Sequence, residues 1–224
     1  MNGWRLVAEL LSMPIPWRLR RRILSRLLGY KIHPAAHIGW SLILARRVEL
    51  EDGASVGHFN VCKGVDLLRL GIKARIGNLN WITGAPTSSL GHFAAQQDRR
   101  PELIVAEHAA ITNRHLVDCT NSVLIGRFST VAGFRSQFLT HSIDIREARQ
   151  WSHPLEIGEY CFVGTGCIML GGSHLPNYSV LAAGSVLRDR YDQERGVYAG
   201  VPAVWKKEVP EDWKYFTRTD GYVW

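Results

Sequence analysis

One polar stretch of the sequence carries residue types that can move protons. The segment FLTHSIDIREARQWSHP, residues 138–154, holds two His, two Arg, one Glu and one Asp. An imidazole accepts and returns a proton near neutral pH, so His141 in this segment is a candidate for acid–base chemistry. The segment interrupts a regular part of the chain, and that regularity indicates which elements must position the imidazole.

The regular part is a six-residue repeat of apolar side chains. Before the segment the repeat comprises Ile38, Leu44, Leu50, Val56, Cys62 and Leu68 and, after a slip, Leu70, Ile76 and Ile82. After the segment it comprises Ile157, Val163, Met169, Leu175, Leu181 and Leu187. A small residue follows four positions after each of the first five: Cys161, Cys167, Ser173, Ser179 and Ser185.

A period of six fits neither an amphipathic α-helix nor a hairpin meander. It predicts a solenoid of short strands in which three hexapeptides make one triangular coil. A residue eighteen positions later then lies one coil above, so Ile157 stacks on Leu175, Val163 on Leu181 and Met169 on Leu187. Glycines are expected at the corners for their backbone freedom: Gly39, Gly57, Gly77, Gly126, Gly158 and Gly164.

Three segments follow from this pattern. Residues 1–31 form an N-terminal helical cap, with helices predicted over Trp4–Leu11 and Trp17–Leu28. Residues 32–209 form the solenoid, which is interrupted by loops at 83–102 and 138–154. Residues 210–224 are an aromatic-rich tail, for which packing on the last coil is expected.

Composition restricts the classes of partner. The formal charge is +7, but much of the excess is local: Arg18, Arg20, Arg21, Arg22 and Arg26. No zinc-finger spacing or RNA-binding signature accompanies them, so nucleic acid is not a predicted partner. The four cysteines form no C-x-x-C pair, and the N-terminus lacks the long apolar run of a spanning helix. A reducing, cytoplasmic setting is expected.

Four stretches carry a resemblance to a known family: TNRHLVDCTNSVLIG, THSID, IGEYCFVGTGCIMLGGSHLPNYSVLAAGSVLRD and YAGVPAVWKKEV. Over roughly residues 32–207 the chain resembles the hexapeptide-repeat acyltransferases, and within them the maltose, galactoside and polysaccharide O-acetyltransferases. The resemblance implies a mainly β, left-handed parallel β-helix. It also implies a homotrimer that binds acetyl-CoA in grooves between neighbouring subunits and uses no metal.

The resemblance also assigns site residues. It makes His141 in THSID the base that activates an acceptor hydroxyl, and Asn113 the group that orients the acceptor or stabilises the oxyanion. The residues that it implies for coenzyme A are Gly164, Thr165, Ala183, Arg188, Lys206 and Lys207. The sequence departs from the family at the nucleotide end, where Leu187-Arg188-Asp189 replaces the usual Thr-Lys-Asp and Val204 stands where an Arg commonly follows Pro-Ala.

The expected function is acetyl-CoA-dependent O-acetylation of a carbohydrate, in a surface-polysaccharide or lipopolysaccharide precursor. The basic, amphipathic residues 17–28 suggest peripheral contact with the inner face of a membrane, as an alternative to capping alone. Three other interpretations stay open: a small-molecule acceptor such as a free sugar or an antibiotic, a zinc enzyme using His108, His115 and His141 across a subunit seam, and a non-catalytic scaffold. His115 is a rival base, whereas His153 and Cys119 are interpreted as packing residues.

Overall fold

The structure is a computed structural model and describes residues 3–89 and 91–223. It begins with helices α1 (Gly3–Ser12) and α2 (Trp17–Leu28), as the sequence predicts. The strands of the first three coils are β1 (Lys31–Ile32), β2 (His37–Ile38), β3 (Leu42–Leu44), β4 (Arg47–Leu50), β5 (Ser55–Val56), β6 (Val61–Lys63), β7 (Leu67–Leu70), β8 (Arg75–Ile76) and β9 (Trp81–Thr83).

Four further coils and two hairpins follow. Their strands are β10 (Glu102–Val105), β11 (Ala110–Ile111), β12 (Leu116–Asp118), β13 (Val123–Ile125), β14 (Thr130–Val131), β15 (Gln137–Leu139), β16 (His141–Asp144), β17 (Arg149–Ser152), β18 (Leu155–Ile157), β19 (Phe162–Val163), β20 (Ile168–Leu170), β21 (His174–Leu175), β22 (Val180–Leu181), β23 (Val186–Leu187), β24 (Gly196–Gly200) and β25 (Ala203–Glu208). A short 3₁₀ helix, Lys214–Phe216, lies in the tail.

The strands form three sheets that are the faces of a triangular prism. Sheet A runs β1-β4-β7-β10-β13-β18-β21, sheet B runs β2-β5-β8-β11-β14-β19-β22-β24-β25, and sheet C runs β3-β6-β9-β12-β15-β20-β23. All neighbours in these sheets are parallel except β24 and β25, which pair antiparallel. We call the corner where the chain passes from sheet B to sheet C the B–C edge. The corner where it returns from sheet C to sheet A is the C–A edge.

The register confirms the predicted stacking. Ile157 pairs with Leu175, Val163 with Leu181 and Met169 with Leu187. The slip near residue 68 also has a structural cause, because the second and third coils are twenty residues apart and not eighteen, as Val56↔Ile76 shows. The inward apolar side chains are almost completely buried, so each coil covers the core of the next.

Two details of the sequence prediction were wrong. Ile43, and not Leu44, is the inward residue of β3, and it pairs with Cys62. The corner glycine Gly57 has no left-handed backbone conformation; instead, a Cβ there would lie 2.5 Å from Gly77 O. The coils stack so closely at this edge that only glycine leaves room, so close approach and not backbone freedom selects it.

The two N-terminal helices lie over the first coil. Leu24 and Leu28 of α2 belong to the buried core, and the guanidinium of Arg20 is 2 % exposed. Arg20 donates hydrogen bonds to Gly39 O (2.8 Å) and Ser41 O (3.2 Å) and forms an ion pair with Glu9 of α1 (3.1 Å). The cap therefore binds backbone carbonyls at the open end of the prism, which would otherwise be exposed strand edges.

The tail does not stop at the last coil. A stack of aromatic rings, His108, Phe128, Tyr160 and Tyr178, runs along the corner between sheets A and B. The tail follows this stack back down the prism: Phe216 contacts Tyr178, and the amide of Gly221 donates to His108 Nδ1 (3.0 Å). The ring of Tyr222 also lies against the guanidinium of Arg75 in β8, so packing of the tail extends over five coils, further than the sequence suggested.

Candidate active site

The polar segment is a β-hairpin that leaves the prism at the C–A edge. Strand β15 ends at Leu139, Thr140 turns the corner, and β16 begins at His141. Strands β16 and β17 pair antiparallel, with His141 opposite Ser152. The imidazole therefore sits where the hairpin joins the prism, and 43 % of its side chain is exposed.

Asp118 is the residue that positions this imidazole. Strands β12 and β15 are neighbours in sheet C, and Asp118 at the end of β12 pairs with Leu139, two residues before His141. Its Oδ2 lies 2.7 Å from His141 Nδ1. Asp118 is not one of the site residues that were predicted from the sequence. The register of the repeat could have identified Asp118, because it places the end of β12 next to the end of β15 and therefore close to His141.

The Asp118 carboxylate is buried but well supplied with donors. Oδ2 accepts the backbone amides of Thr140 (2.9 Å) and His141 (3.0 Å), and Oδ1 accepts the amide (3.1 Å) and hydroxyl (2.7 Å) of Thr120. Burial alone would raise the pKa of Asp118, but hydrogen bonds from His141, Thr120 and Thr140 outweigh it and lower the pKa to about 2. Asp118 is therefore an anion at neutral pH.

The anion sets the tautomer of His141. A carboxylate can only accept, so Nδ1 of the imidazole must carry the hydrogen that is donated to Asp118. In the neutral ring, Nε2 is then an unprotonated acceptor, and it makes no hydrogen bond within residues 3–89 and 91–223. The hydrogen bond to Asp118 also raises the pKa of His141, against the opposing effect of burial. The pair has the arrangement of a general base with its orienting acid.

The imidazole of His141, which carries Nε2, borders a pocket of about 240 Å³. The pocket is lined by Thr83, Gly84, Ala85, His92, Phe93, Asp118, Thr120, His141 and Gln150. Part of this wall comes from the insertion between β9 and β10, which the sequence predicts at residues 83–102. The ring of Phe93 meets the imidazole edge-on at 6.1 Å between centroids. The insertion and the hairpin, both predicted as loops, therefore build one site together.

The insertion is fastened to the hairpin by a buried amide. Gln96 Nε2 donates to Ser152 O (2.7 Å), and Gln96 Oε1 accepts the amide (2.9 Å) and hydroxyl (2.8 Å) of Ser152. Since Ser152 pairs with His141, this contact holds the pocket wall at the imidazole. Gln150 Oε1 is buried without a hydrogen-bond partner among the described residues. A buried acceptor of this kind needs a donor, such as a substrate hydroxyl.

Asn113 lies at the opposite side of sheet C from His141. It occupies the B–C edge, where its Oδ1 accepts the backbone amide of Asn78 (2.7 Å). Its Nδ2 donates no hydrogen bond within the part of the chain that the structure describes. Asn113 does not line the pocket of His141, so one chain does not bring these two predicted residues together.

Three of the residues predicted for coenzyme A share the edge of Asn113. Gly164 and Thr165 follow β19, and Ala183 lies one coil above, where a Cβ at Gly164 would be 2.6 Å from its amide nitrogen. Thr165 Oγ1 is engaged with Phe134 O (2.9 Å). The amides of Thr165 and Ala183 donate to no atom of the described residues. Small side chains with free amides fit the carbonyl-bearing arm of a coenzyme.

The other predicted coenzyme residues lie elsewhere. Arg188 follows β23 at the C–A edge, and its Nε lies 3.4 Å from Asp189 Oδ2. Lys206 and Lys207 are exposed on β25, the outermost strand of sheet B. Within one chain these three cations therefore do not lie on the edge that carries Thr165.

The rival candidates have structural roles. His115 is 2 % exposed, its Nδ1 accepts the amide of Ser136 (3.2 Å), and its Nε2 is 3.0 Å from Thr112 Oγ1. Burial lowers the pKa of His115 to about 4, and neither ring nitrogen is available to a substrate. Cys119 is completely buried, and burial raises the pKa of its thiol. Among the described residues, no three His, Cys, Asp or Glu side chains converge on a metal-sized site.

Comparison with known proteins bears on the fold. No protein-family model matches the chain, and no curated protein sequence matches it. Among solved structures, the polysialic acid O-acetyltransferase OatWY is 15% identical, with 80% of this chain and 84% of that chain covered and a TM-score of 0.53. AntD, an N-acyltransferase from Bacillus cereus in complex with dTDP and 3-hydroxybutyryl-CoA, is 10% identical, with 85% and 89% covered and a TM-score of 0.50.

A third solved structure is the hexapeptide-repeat containing acetyltransferase VCA0836 from Vibrio cholerae. It is 15% identical, with 93% of this chain and 90% of that chain covered and a TM-score of 0.48. At these identities the likeness concerns the fold. The three parallel sheets and the similarity to OatWY and AntD together confirm that this chain has the left-handed parallel β-helix fold of the hexapeptide-repeat acyltransferases that its sequence resembles.

Proposed function

We propose that the protein is an O-acyltransferase that moves an acetyl group from acetyl-CoA to a carbohydrate hydroxyl. One observation carries this proposal: His141 is oriented by Asp118 so that an unprotonated Nε2 is available at a pocket. The solved structures with this fold include an acetyltransferase and an N-acyltransferase bound to an acyl-CoA, which supports an acyl-CoA donor.

The proposed reaction is a direct transfer with His141 as general base. Nε2 takes the proton of the acceptor hydroxyl as its oxygen attacks the thioester carbonyl carbon. A C–O bond forms and the C–S bond breaks, and the imidazolium returns the proton to the departing thiolate. Asp118 stabilises the positive charge that the ring carries between these two transfers. The free Oε1 of Gln150 is suited to accept a second hydroxyl of the same sugar.

A second copy of the chain is needed to complete this site. His141 lies at the C–A edge, whereas Asn113, Thr165 and Ala183 lie at the B–C edge. In a cyclic homotrimer each seam can join the C–A edge of one copy to the B–C edge of the next. The unbonded amides of Thr165 and Ala183 would then meet the donor beside the neighbour's His141, and the free Nδ2 of Asn113 could stabilise the oxyanion. Arg188, Lys206 and Lys207 remain proposed contacts for the phosphates.

Subunit complementation tests the shared seam. The variants His141→Ala and Ala183→Trp are each expected to be inactive, because one removes the base and the other fills the donor edge. Co-expressed in equal amounts with different tags and purified through both, mixed assemblies regain activity. Each variant damages a different edge, so random assembly from equal amounts gives about a quarter of all seams two intact edges. Before tag selection, activity should therefore return to about a quarter of that of the parent. Doubly tagged assemblies as inactive as either variant would contradict a shared site.

The transfer itself is tested by release of free thiol from acetyl-CoA in the presence of candidate glycans. Thiol release that depends on both the glycan and His141, with acetate recovered as an ester on the glycan, supports the proposal. OatWY is a polysialic acid O-acetyltransferase, so acidic polysaccharides are the first acceptors to test, which fits a surface-polysaccharide or lipopolysaccharide precursor. Free sugars and antibiotics form the second arm, and ester formation on these alone would indicate a small-molecule acetyltransferase.

The outer face of the cap favours peripheral contact with an anionic membrane surface. Leu19 and Leu27 of α2 are 51% and 59% exposed, and Arg18, Arg22 and Arg26 are exposed on the same helix. Apolar side chains flanked by cations fit a bilayer interface with anionic lipids. Among the described residues, neither helix has the length and apolarity needed to cross a bilayer. The proposed location is therefore cytoplasmic, at the inner face of the membrane.

Vesicle co-sedimentation tests the membrane contact. The protein is expected to bind vesicles containing phosphatidylglycerol at low salt and to be released at high salt, because exposed charges are screened. The variant Leu19→Glu/Leu27→Glu should abolish binding, whereas Lys73→Gln/Lys214→Gln, which lowers the net charge by the same amount on exposed residues outside the cap, should retain it. Equal loss in both variants, or equal binding to phosphatidylcholine vesicles, would show that net charge and not the helix face is responsible.

A further inference from the structure

A cluster of cationic side chains lies beside the candidate site at the C–A edge. Arg46 precedes β4, Arg47 is the first residue of β4, and Arg99 and Arg100 lie near the end of the insertion. Together they line a cavity of about 630 Å³, which we call the arginine trough, with Asp66, Thr87, Pro101 and Glu102. An adjoining cavity of about 760 Å³ shares Arg46 and Asp66 and adds Arg5 and Lys63. Gly84 lines this second cavity and also the pocket of His141.

The trough is not neutralised by its own carboxylates. Six cationic side chains line the two cavities, namely Arg5, Arg46, Arg47, Lys63, Arg99 and Arg100, against two carboxylates, Asp66 and Glu102. Asp66 Oδ2 accepts the amide (3.0 Å) and hydroxyl (2.7 Å) of Thr87, and Glu102 Oε1 accepts Ser122 Oγ (3.2 Å). Neither carboxylate forms an ion pair with an arginine of the trough.

Three of these arginines have no anionic partner in the described residues. Arg46, Arg47 and Arg100 are exposed, and their side chains form no ion pair or hydrogen bond there. Some exposed arginines elsewhere are paired, as Arg69 is with Glu49 (2.7 Å) and Arg127 with Glu159 (2.7 Å), whereas Arg46, Arg47 and Arg100 share one cleft. Unpaired guanidinium groups crowded into one cleft repel each other, so an anion bound between them would be stabilised by all of them.

The trough is held rigidly to the catalytic pocket through Arg99. This side chain is 5% exposed, and its Nη1 donates to Ala85 O (2.8 Å) and Thr120 O (3.1 Å). The guanidinium carbon of Arg99 lies 4.3 Å from the centroid of the Phe93 ring, and that ring contacts His141. Thr120 in turn donates to Asp118. One side chain therefore contacts the trough, the insertion and the wall of the pocket.

We propose that the arginine trough binds an anionic group of the acceptor while one of its hydroxyls reaches His141. The acceptor is then a carbohydrate that carries a carboxylate or a phosphate, either an acidic glycan or a sugar diphosphate. This inference rests on the proposed transfer function, because it identifies the class of acceptor for that reaction. The guanidinium groups position the substrate and take no part in the proton transfer.

Substitution of the unpaired arginines tests the trough. The variant Arg47→Gln/Arg100→Gln removes two exposed charges that have no partner to lose, so its thermal stability should match that of the parent. Its KM for oligosialic acid should rise at least about tenfold, with kcat changed less than about twofold. Arg47→Lys/Arg100→Lys, which keeps the charge, should recover most of the affinity, and Lys214→Gln in the tail should have no effect.

Binding without turnover separates this inference from the transfer function. Fluorescence anisotropy with labelled oligosialic acid, a labelled sugar 1-diphosphate and neutral dextran needs no acetyl-CoA. Binding of oligosialic acid alone identifies an acidic glycan, binding of the diphosphate alone identifies a phosphorylated sugar, and either must be lost in Arg47→Gln/Arg100→Gln. If no thiol is released but the anions bind, the proposed reaction is wrong and the proposed anion site in the trough is supported.

Three results would overturn the inference. The first is equal binding of dextran and oligosialic acid, which would mean that charge is not recognised. The second is unchanged binding of both anions in Arg47→Gln/Arg100→Gln. The third is a rise in the KM for acetyl-CoA with an unchanged KM for the acceptor, which would assign the trough to the phosphates of the donor.

Discussion

His141→Ala is expected to lower kcat by about 10²–10⁴-fold, since this is the usual contribution of a positioned general base. The fold should survive the change. The side chain is 43 % exposed, and Asp118 keeps its hydrogen bonds from Thr120, from Thr140 and from the backbone amide of residue 141. In the proposed site the donor binds at the other edge of the prism, so the KM for acetyl-CoA should stay close to that of the parent. Steady-state thiol release and a thermal melt measure both effects.

The matched control is His153→Ala, which removes the other imidazole of the same polar segment. His153 is exposed, lies directly after β17 and is not among the residues that line the pocket. The kcat of His153→Ala should remain within about twofold of that of the parent, because surface substitutions rarely perturb a site that they do not touch. A His141→Ala enzyme that keeps a near-parental rate would remove His141 as the base, and the proposed mechanism with it.

Asp118→Asn is expected to lower kcat by a similar factor, about 10²–10⁴-fold, while His141 remains in place. An amide offers one acceptor oxygen where the carboxylate offers two, and the donors from Thr120 and Thr140 compete for it. An amide nitrogen facing Nδ1 would donate to it, which favours the tautomer with its hydrogen on Nε2. The imidazole would then be unable to accept the proton of the hydroxyl.

The pH profile separates this effect from simple unfolding. The hydrogen bond to Asp118 raises the pKa of His141, and the protonated ring is not a base. In the parent, kcat/KM should therefore rise as the pH increases through this raised pKa. Asp118→Asn lowers the pKa of His141, so the acidic limb should move to lower pH even though the plateau falls. Asp144→Asn, a matched change on the same hairpin, should move neither. An acidic limb that stays in place would show that Asp118 does not act on His141.

Much of the prism could be predicted from sequence because its core is periodic. Each inward side chain contacts the equivalent residue of the next coil, so Ile157 and Leu175 reveal their contact by an eighteen-residue spacing. The prediction went wrong where that rule is locally broken. Ile43 replaces Leu44 in the core, and the corner glycines are selected by the approach of the next coil, which depends on stacking and not on local conformation.

Only part of the candidate site could be predicted from the sequence. The polar segment stood out because it interrupts an apolar repeat, and the resemblance of THSID to the acyltransferases selected His141 within that segment. Asp118 gave no such signal, since it orients His141 from the preceding coil across strands β12 and β15. Phe93 and Gln96 reach the pocket from an insertion without any repeat, and their contacts with His141 and Ser152 are fixed by packing alone.

The sequence by itself determined the coil, its core register and the position of the imidazole, because a repeat converts spacing along the chain into contact in space. Only the tertiary structure decided which carboxylate orients that imidazole and that Asn113 and Thr165 lie on the other edge of the prism. It also decided which arginines gather beside His141. These contacts join segments without a common period, such as residues 46–47 and 99–100, so their proximity depends on how the insertion folds back on the coils.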